Sequence, residues 1–145
     1  SNKIKIGAYT RCAYESQFVD SNFHFVLNMK TGNVTRRESE ILIGKCNWIG
    51  NRTSITKGSK TKDFSIICAG SLMNKDYTQN EENFIMLGGS PAKVLTSGLK
   101  RIFSTEIEKD IIYFFNNNPK ANNYNLTSEL SDDFKDIHYW FEHMM

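Results

Sequence analysis

The sequence predicts a mainly β fold in which the chain winds as a three-cornered coil of short, stacked parallel strands. Two spacings predict it. Steps of six from Ile43 land on Ile49, Ile55, Thr61, Ile67 and Met73, five of the six apolar. Four residues beyond the first five of these stand Asn47, Thr53, Ser59, Ser65 and Ser71, all short and polar. A helix returns to one face every 3.6 residues and a flat strand every 2, so a strict six over so many steps fits neither. It fits a repeated unit of one short strand and one corner, three units to a turn, with turns stacked about 4.8 Å apart. The aliphatic residue points inward, the short polar one lets the backbone turn, and Gly44, Gly50, Gly58 and Gly70 are expected to relieve strain at the corners.

A second run in its own phase, Ile6, Cys12 and Phe18 with Thr10, Ser16 and Asn22 at plus four, supplies at least one further turn. Between the runs, residues 25–40 break the phase and read as an excursion loop. Such a loop is either a place for ligand contacts or merely solvated. From residue 99 the pattern becomes helical. Ser104 can cap a helix with Glu106 and Glu108 in its first turn and Ile107, Ile111 and Phe115 on one side, stopped by Asn116-Asn117-Asn118-Pro119. A second helix is expected over 132–143, with Phe134, Ile137 and Phe141 at helical spacing; His138 and His143 there read as surface or packing residues. The expected division is a coil domain over 3–98 and a helical extension over 99–145.

Composition narrows the function. At 145 residues the chain has room for one ordinary domain. With 18 Lys plus Arg against 16 Asp plus Glu, the net charge of +2 gives no strong pull toward nucleic acid or anionic lipid. The longest apolar runs, Ile41–Ile43 and Ile111–Phe115, fall far short of the ~20 residues that cross a bilayer. Cys12, Cys46 and Cys68 form no CxxC pair and leave an odd count, so neither a zinc knuckle nor a disulfide framework is indicated. With no signal-peptide pattern at the N-terminus, the expectation is a soluble cytoplasmic protein with reduced thiols.

Four groups of residues carry a resemblance. They are the two Ile-Gly pairs flanking Trp48, the Ala69-Gly70-Ser71 triplet, Lys75, and Gly88-Gly89-Ser90-Pro91-Ala92-Lys93-Val94; upstream stands Asp20-Ser21-Asn22-Phe23-His24. In this order they resemble the hexapeptide-repeat acyltransferases, especially the bacterial sugar O-acetyltransferases, over residues 6 to about 95. The resemblance implies a left-handed parallel β-helix, a homotrimer with active sites where subunits meet, and acetyl-CoA as cosubstrate with no metal. Two positions depart from the pattern: Thr61 replaces an aliphatic residue, and Asn22 stands where many relatives carry an acidic group.

Acyl transfer from a thioester to a hydroxyl needs a base, stabilisation of the oxyanion and alignment of both substrates. His24 is the histidine placed to be the base, since neutral imidazole can take a proton near neutral pH; the bland reading is a histidine that only hydrogen-bonds within the coil. Asp20 either orients that ring, accepts a hydrogen bond from the sugar, or closes a turn. Glu15 is a second candidate for the orienting role. By resemblance, backbone at Ala69 and Gly70 lines the pantetheine path, with Asn74, Lys75 and Lys93 near it and the lysines facing phosphates. Trp48, next to inward Ile49, should face outward and meet the substrate or a neighbouring subunit; Phe64 is a second outward aromatic. Cys46 and Cys68 read as packing residues. The function implied is O-acetylation of a sugar or cell-envelope glycan or its precursor. The alternatives are N-acetylation of an amino sugar and a non-catalytic scaffold.

Overall fold

The computed structural model describes residues 3–126, in two compact units divided after Arg101. The first unit contains twelve short strands: β1 Ile4–Ile6, β2 Arg11–Cys12, β3 Gln17–Val19, β4 Val26–Leu27, β5 Val34–Thr35, β6 Ile41–Ile43, β7 Trp48–Ile49, β8 Ser54–Thr56, β9 Ile66–Ile67, β10 Leu72–Met73, β11 Met86–Gly89 and β12 Ala92–Thr96. Apart from the hairpins β4–β5 and β11–β12, every pairing between these strands is parallel. They form three stacks, β1–β6, β2–β7–β9–β11 and β3–β8–β10, visited in rotation. Trp48 pairs with Ile66 and Ser54 with Leu72, so in these turns the chain returns to its stack after eighteen residues, three hexads.

The predicted inward positions form the core. Ile43, Ile49, Ile55, Ile67 and Met73 are buried, joined by Ile41, Tyr77, Ile85, Leu87 and Ala92. Burying each Ile contributes about 1.5–3 kcal/mol, which offsets an unfavourable backbone at the corners. The third residue after each inward position, Cys46, Arg52, Gly58, Phe64 and Gly70 in turn, has φ of 55°, 55°, 80°, 62° and 72°. That left-handed conformation costs a residue with a side chain roughly 1–2 kcal/mol.

The corner glycines therefore divide into two kinds, which corrects the expectation for Gly44 and Gly50. Those two do not sit at the left-handed position. A Cβ on Gly50 would lie 2.4 Å from the Ala69 nitrogen, and one on Gly44 2.6 Å from that of Asp63, so both are required by close approach of the next turn's backbone.

The short polar residues at plus four do more than make room. Buried Thr53, Ser65 and Ser71 donate their hydroxyls to the carbonyls three residues back, Gly50, Lys62 and Cys68, at 2.7, 2.8 and 2.6 Å. The same carbonyls also accept from Ser16, Asn47 and Thr53 of adjacent turns, so each corner is tied to its neighbour as well as to itself. Thr61 departs from the aliphatic pattern without leaving a gap. Its hydroxyl donates to Asn47 Oδ1 at 2.7 Å and accepts from the Gly44 amide, while Asn47 Nδ2 donates to the carbonyls of Lys45 and Lys62.

The first turn behaves differently from the others. Ile6, Cys12 and Phe18 pair in register with Ile43, Ile49 and Ile55, yet Ile6 is 43% exposed where Ile43 is 4%. A turn stacked on one side only leaves its inward residues half covered.

The excursion is a structured hairpin rather than a loop. It leaves the stack at the Ser21–Glu38 bridge and pairs β4 with β5. Asn28 closes its tip, its Oδ1 accepting from the amides of Lys30 and Thr31, with Gly32 at φ 75°. The β-formers Val26, Leu27, Val34 and Thr35 flanking a turn-forming Asn and Gly account for it.

In the second unit, α1 spans Thr105–Asn117, with Ser104 as N-cap accepting from the Ile107 amide, and it ends at Asn118. Phe114 packs edge-on against Phe115 and Tyr124. The helix expected over 132–143, with its Phe134, Ile137, Phe141, His138 and His143, lies outside the described residues.

Candidate active site

The three stacks meet at three edges, and these distribute the candidate residues. One edge is lined by the left-handed residues Tyr9, Cys46, Phe64 and Phe84. There the rings of Phe64 and Phe84 pack with centroids 5.3 Å apart, so Phe64, expected as an outward aromatic, is engaged within its own chain. Cys46 is buried beside Lys100; burial lifts the thiol and lowers the ammonium to about 8.

The second edge carries Glu15, Arg52 and Gly70. Glu15 Oε2 accepts from Arg52 Nε at 2.7 Å, and the guanidinium lies over the Tyr14 ring. Glu15 is thus engaged in an exposed ion pair with Arg52. Ala69 and Gly70 are exposed on this edge, and the space a Gly70 side chain would occupy is open, leaving backbone accessible to an extended ligand.

The third edge holds the excursion, Gly58, and the segment Asn74–Asp76. His24 is exposed, its amide donating to the Asn22 carbonyl at 2.7 Å. Asp20 is half-buried, its carbonyl accepting from Ser39. Among the described residues no hydrogen bond joins the two side chains, so the fold brings them to one end of the hairpin without locking the ring. The hairpin is tied back by Lys57 Nζ donating to the Arg36 carbonyl, and Arg37 covers the Phe25 ring at 5.0 Å while donating to the Phe23 carbonyl.

Lys75 and Asn74 are exposed after β10. The next turn is fixed by Asp76, whose carboxylate accepts from the Thr78 amide and hydroxyl; those bonds hold its pKa below the usual carboxylate value. Lys93 is exposed on β12 opposite Gly88. Trp48 faces outward on the second stack, 45% exposed, between its register partners Arg11 and Ile66.

One residue joins these pieces and was not singled out from the sequence. Tyr77 is 4% exposed; its hydroxyl donates to the Ala92 carbonyl at 2.9 Å, and Lys75 Nζ lies 5.7 Å from its ring centroid. The signal was present: Tyr77 continues the plus-four series one step past Ser71. Among the described residues no group of three or more His, Cys, Asp or Glu side chains gathers as metal ligands would, and no helix is long and apolar enough to cross a membrane.

Comparison with solved structures finds acetyltransferases. The polysialic acid O-acetyltransferase OatWY matches with a TM-score of 0.59 at 22% identity, over 77% of this chain and 54% of its own. The polySia-specific acetyltransferase NeuO matches at 0.53 and 20%, over 72% and 55%. A hexapeptide-repeat acetyltransferase of Vibrio cholerae O1 biovar eltor, solved with acetyl coenzyme A, matches at 0.50 and 24%, over 65% and 49%. The chain shares their fold, in agreement with the resemblance read from its motifs, and spans about half the length of each. No protein-family model matches the sequence, and a search of curated proteins gives no match.

Proposed function

We propose that the chain belongs to an acetyl-CoA-dependent O-acetyltransferase acting on a hydroxyl of a sugar or cell-envelope glycan, built on a left-handed parallel β-helix. The observation that carries this reading is the exposed His24 at the base of the excursion hairpin, on a fold shared with polysialic acid O-acetyltransferases. In this mechanism neutral His24 takes the proton of the acceptor hydroxyl as its oxygen bonds to the thioester carbonyl carbon. The same proton then goes to the departing thiolate as the carbon–sulfur bond breaks. Asp20, at the same end of the hairpin, is the acidic residue available to the ring or to the sugar.

Coenzyme A would lie along the coil, with the open backbone of Ala69 and Gly70 beside its pantetheine arm and Asn74, Lys75 and Lys93 nearer its phosphates. The bare edge at Gly70 and the two exposed ammonium groups suit that ligand. We propose that three copies assemble the site between them. Outward Trp48 and the exposed Phe23, Phe25, Leu27 and Met29 of the excursion support an interface.

The test is turnover of acetyl-CoA with oligosaccharide acceptors, together with calorimetry of coenzyme A binding. His24→Ala is expected to lower turnover about 100-fold or more with coenzyme affinity nearly intact. Lys93→Ala is expected to weaken coenzyme binding in a salt-dependent way, by about 1–3 kcal/mol. Unchanged turnover in His24→Ala removes the base. A product whose acetyl group survives mild base is an amide and favours N-acetylation.

A further inference from the structure

We propose that Tyr77 is the positioning residue of the coenzyme site, holding the Asn74–Lys75 segment and the Ala92–Lys93 strand in one arrangement. This rests on the coenzyme reading above. At plus four, where earlier corners use Asn47, Thr53, Ser59, Ser65 and Ser71, the coil places a tyrosine. A serine hydroxyl reaches a carbonyl three residues away; the tyrosine hydroxyl, at the end of a buried ring, reaches the Ala92 carbonyl fifteen residues on. It therefore bonds out of its own corner and into the closing hairpin β11–β12. The Tyr77 amide meanwhile donates to the Lys60 carbonyl at 2.8 Å, fixing the backbone from which the ring extends.

Each end of the phenol touches a different coenzyme segment. The hydroxyl bonds to the carbonyl of Ala92, whose neighbour is Lys93, and the ring carries the Lys75 ammonium on its face. Lys75 and Lys93 lie on separate elements, and two cations that must meet one ligand bind it best when their spacing is set beforehand. Tyr77 is in contact with both segments. It touches neither acceptor nor acetyl group in this reading, so its effect is confined to coenzyme affinity.

Tyr77→Phe keeps the ring, its packing and the lysine contact while removing the hydroxyl. The expected result is a KM for acetyl-CoA and a Kd for coenzyme A raised about 10-fold, as for loss of one buried hydrogen bond, with kcat and the acceptor KM unchanged. Added to Lys93→Ala, the same change should cost less than it does alone, because the lysine it positions is gone. Amide exchange at Asn74 and at Lys93 should rise together while that of Ile49 and Ile55 stays as in the parent. Parent-like coenzyme affinity in Tyr77→Phe, or full additivity with Lys93→Ala, overturns the proposal. A parent protein that binds no coenzyme A overturns instead the function on which it rests.

Discussion

At the scale of single residues, the buried hydroxyls decide more than their size implies. Alanine would fit every plus-four position, but Thr53, Ser65 and Ser71 donate their buried hydroxyls to the carbonyls of Gly50, Lys62 and Cys68 and so tie each corner together. Ser59 is the exception. It is fully buried, and among the described residues its hydroxyl has no hydrogen-bond partner. Ser71→Ala is therefore expected to lower stability by about 1 kcal/mol, the loss of a buried hydrogen bond. Ser59→Ala should be neutral or stabilising. Urea denaturation of the two variants checks this, and equal losses would show that the hydroxyls act only as volume. The polar pair Thr61–Asn47 makes the same point: what reads as a missing aliphatic is a hydrogen-bonded plug.

At the scale of elements, turns stack so closely that backbone meets backbone. Gly50 faces the Ala69 nitrogen at a distance no Cβ can share, with main chain rather than a flexible side chain in the way. Gly50→Ala should force β7 and β9 apart and cost more than the ~1 kcal/mol typical of a substitution. Gly32→Ala, at the open tip of the hairpin, meets no neighbour and pays only for its positive φ. Thermal melts of the pair provide the comparison, and a smaller loss at Gly50 than at Gly32 would contradict the packing argument. The six-residue period located the turns because inward residues must recur wherever the prism has a side. It did not expose the hairpin at 22–38, whose strands of two residues are too short to show alternation, so that stretch read as a loop.

At the scale of the whole molecule, the exposed apolar residues are the feature a lone coil does not explain. Trp48 on one face and the row from Phe23 to Met29 on the excursion remain open to solvent. If three copies assemble, light scattering should give three times the chain mass, and Trp48→Asp should shift the protein toward smaller species while its strand content by circular dichroism stays constant. A monomeric mass with Trp48 fully open to a quencher such as acrylamide would argue against an interface there.

The sequence by itself determined the six-residue period, the buried positions from Ile43 to Met73 and the Ser104 cap, because a hexad can bury its aliphatic residue only by repeating the same corner; Ile6 and Cys12 of the first turn, read as inward, stay exposed. It also marked His24, Lys75 and Lys93 as groups with fitting chemistry. Their placement on particular edges was decided only by the tertiary structure, as was the pairing of Glu15 with Arg52 and the joining of two distant segments by Tyr77. Contacts between residues fifteen to forty positions apart depend on how turns register against one another, and that registry is a property of the stacked backbone rather than of any single hexad.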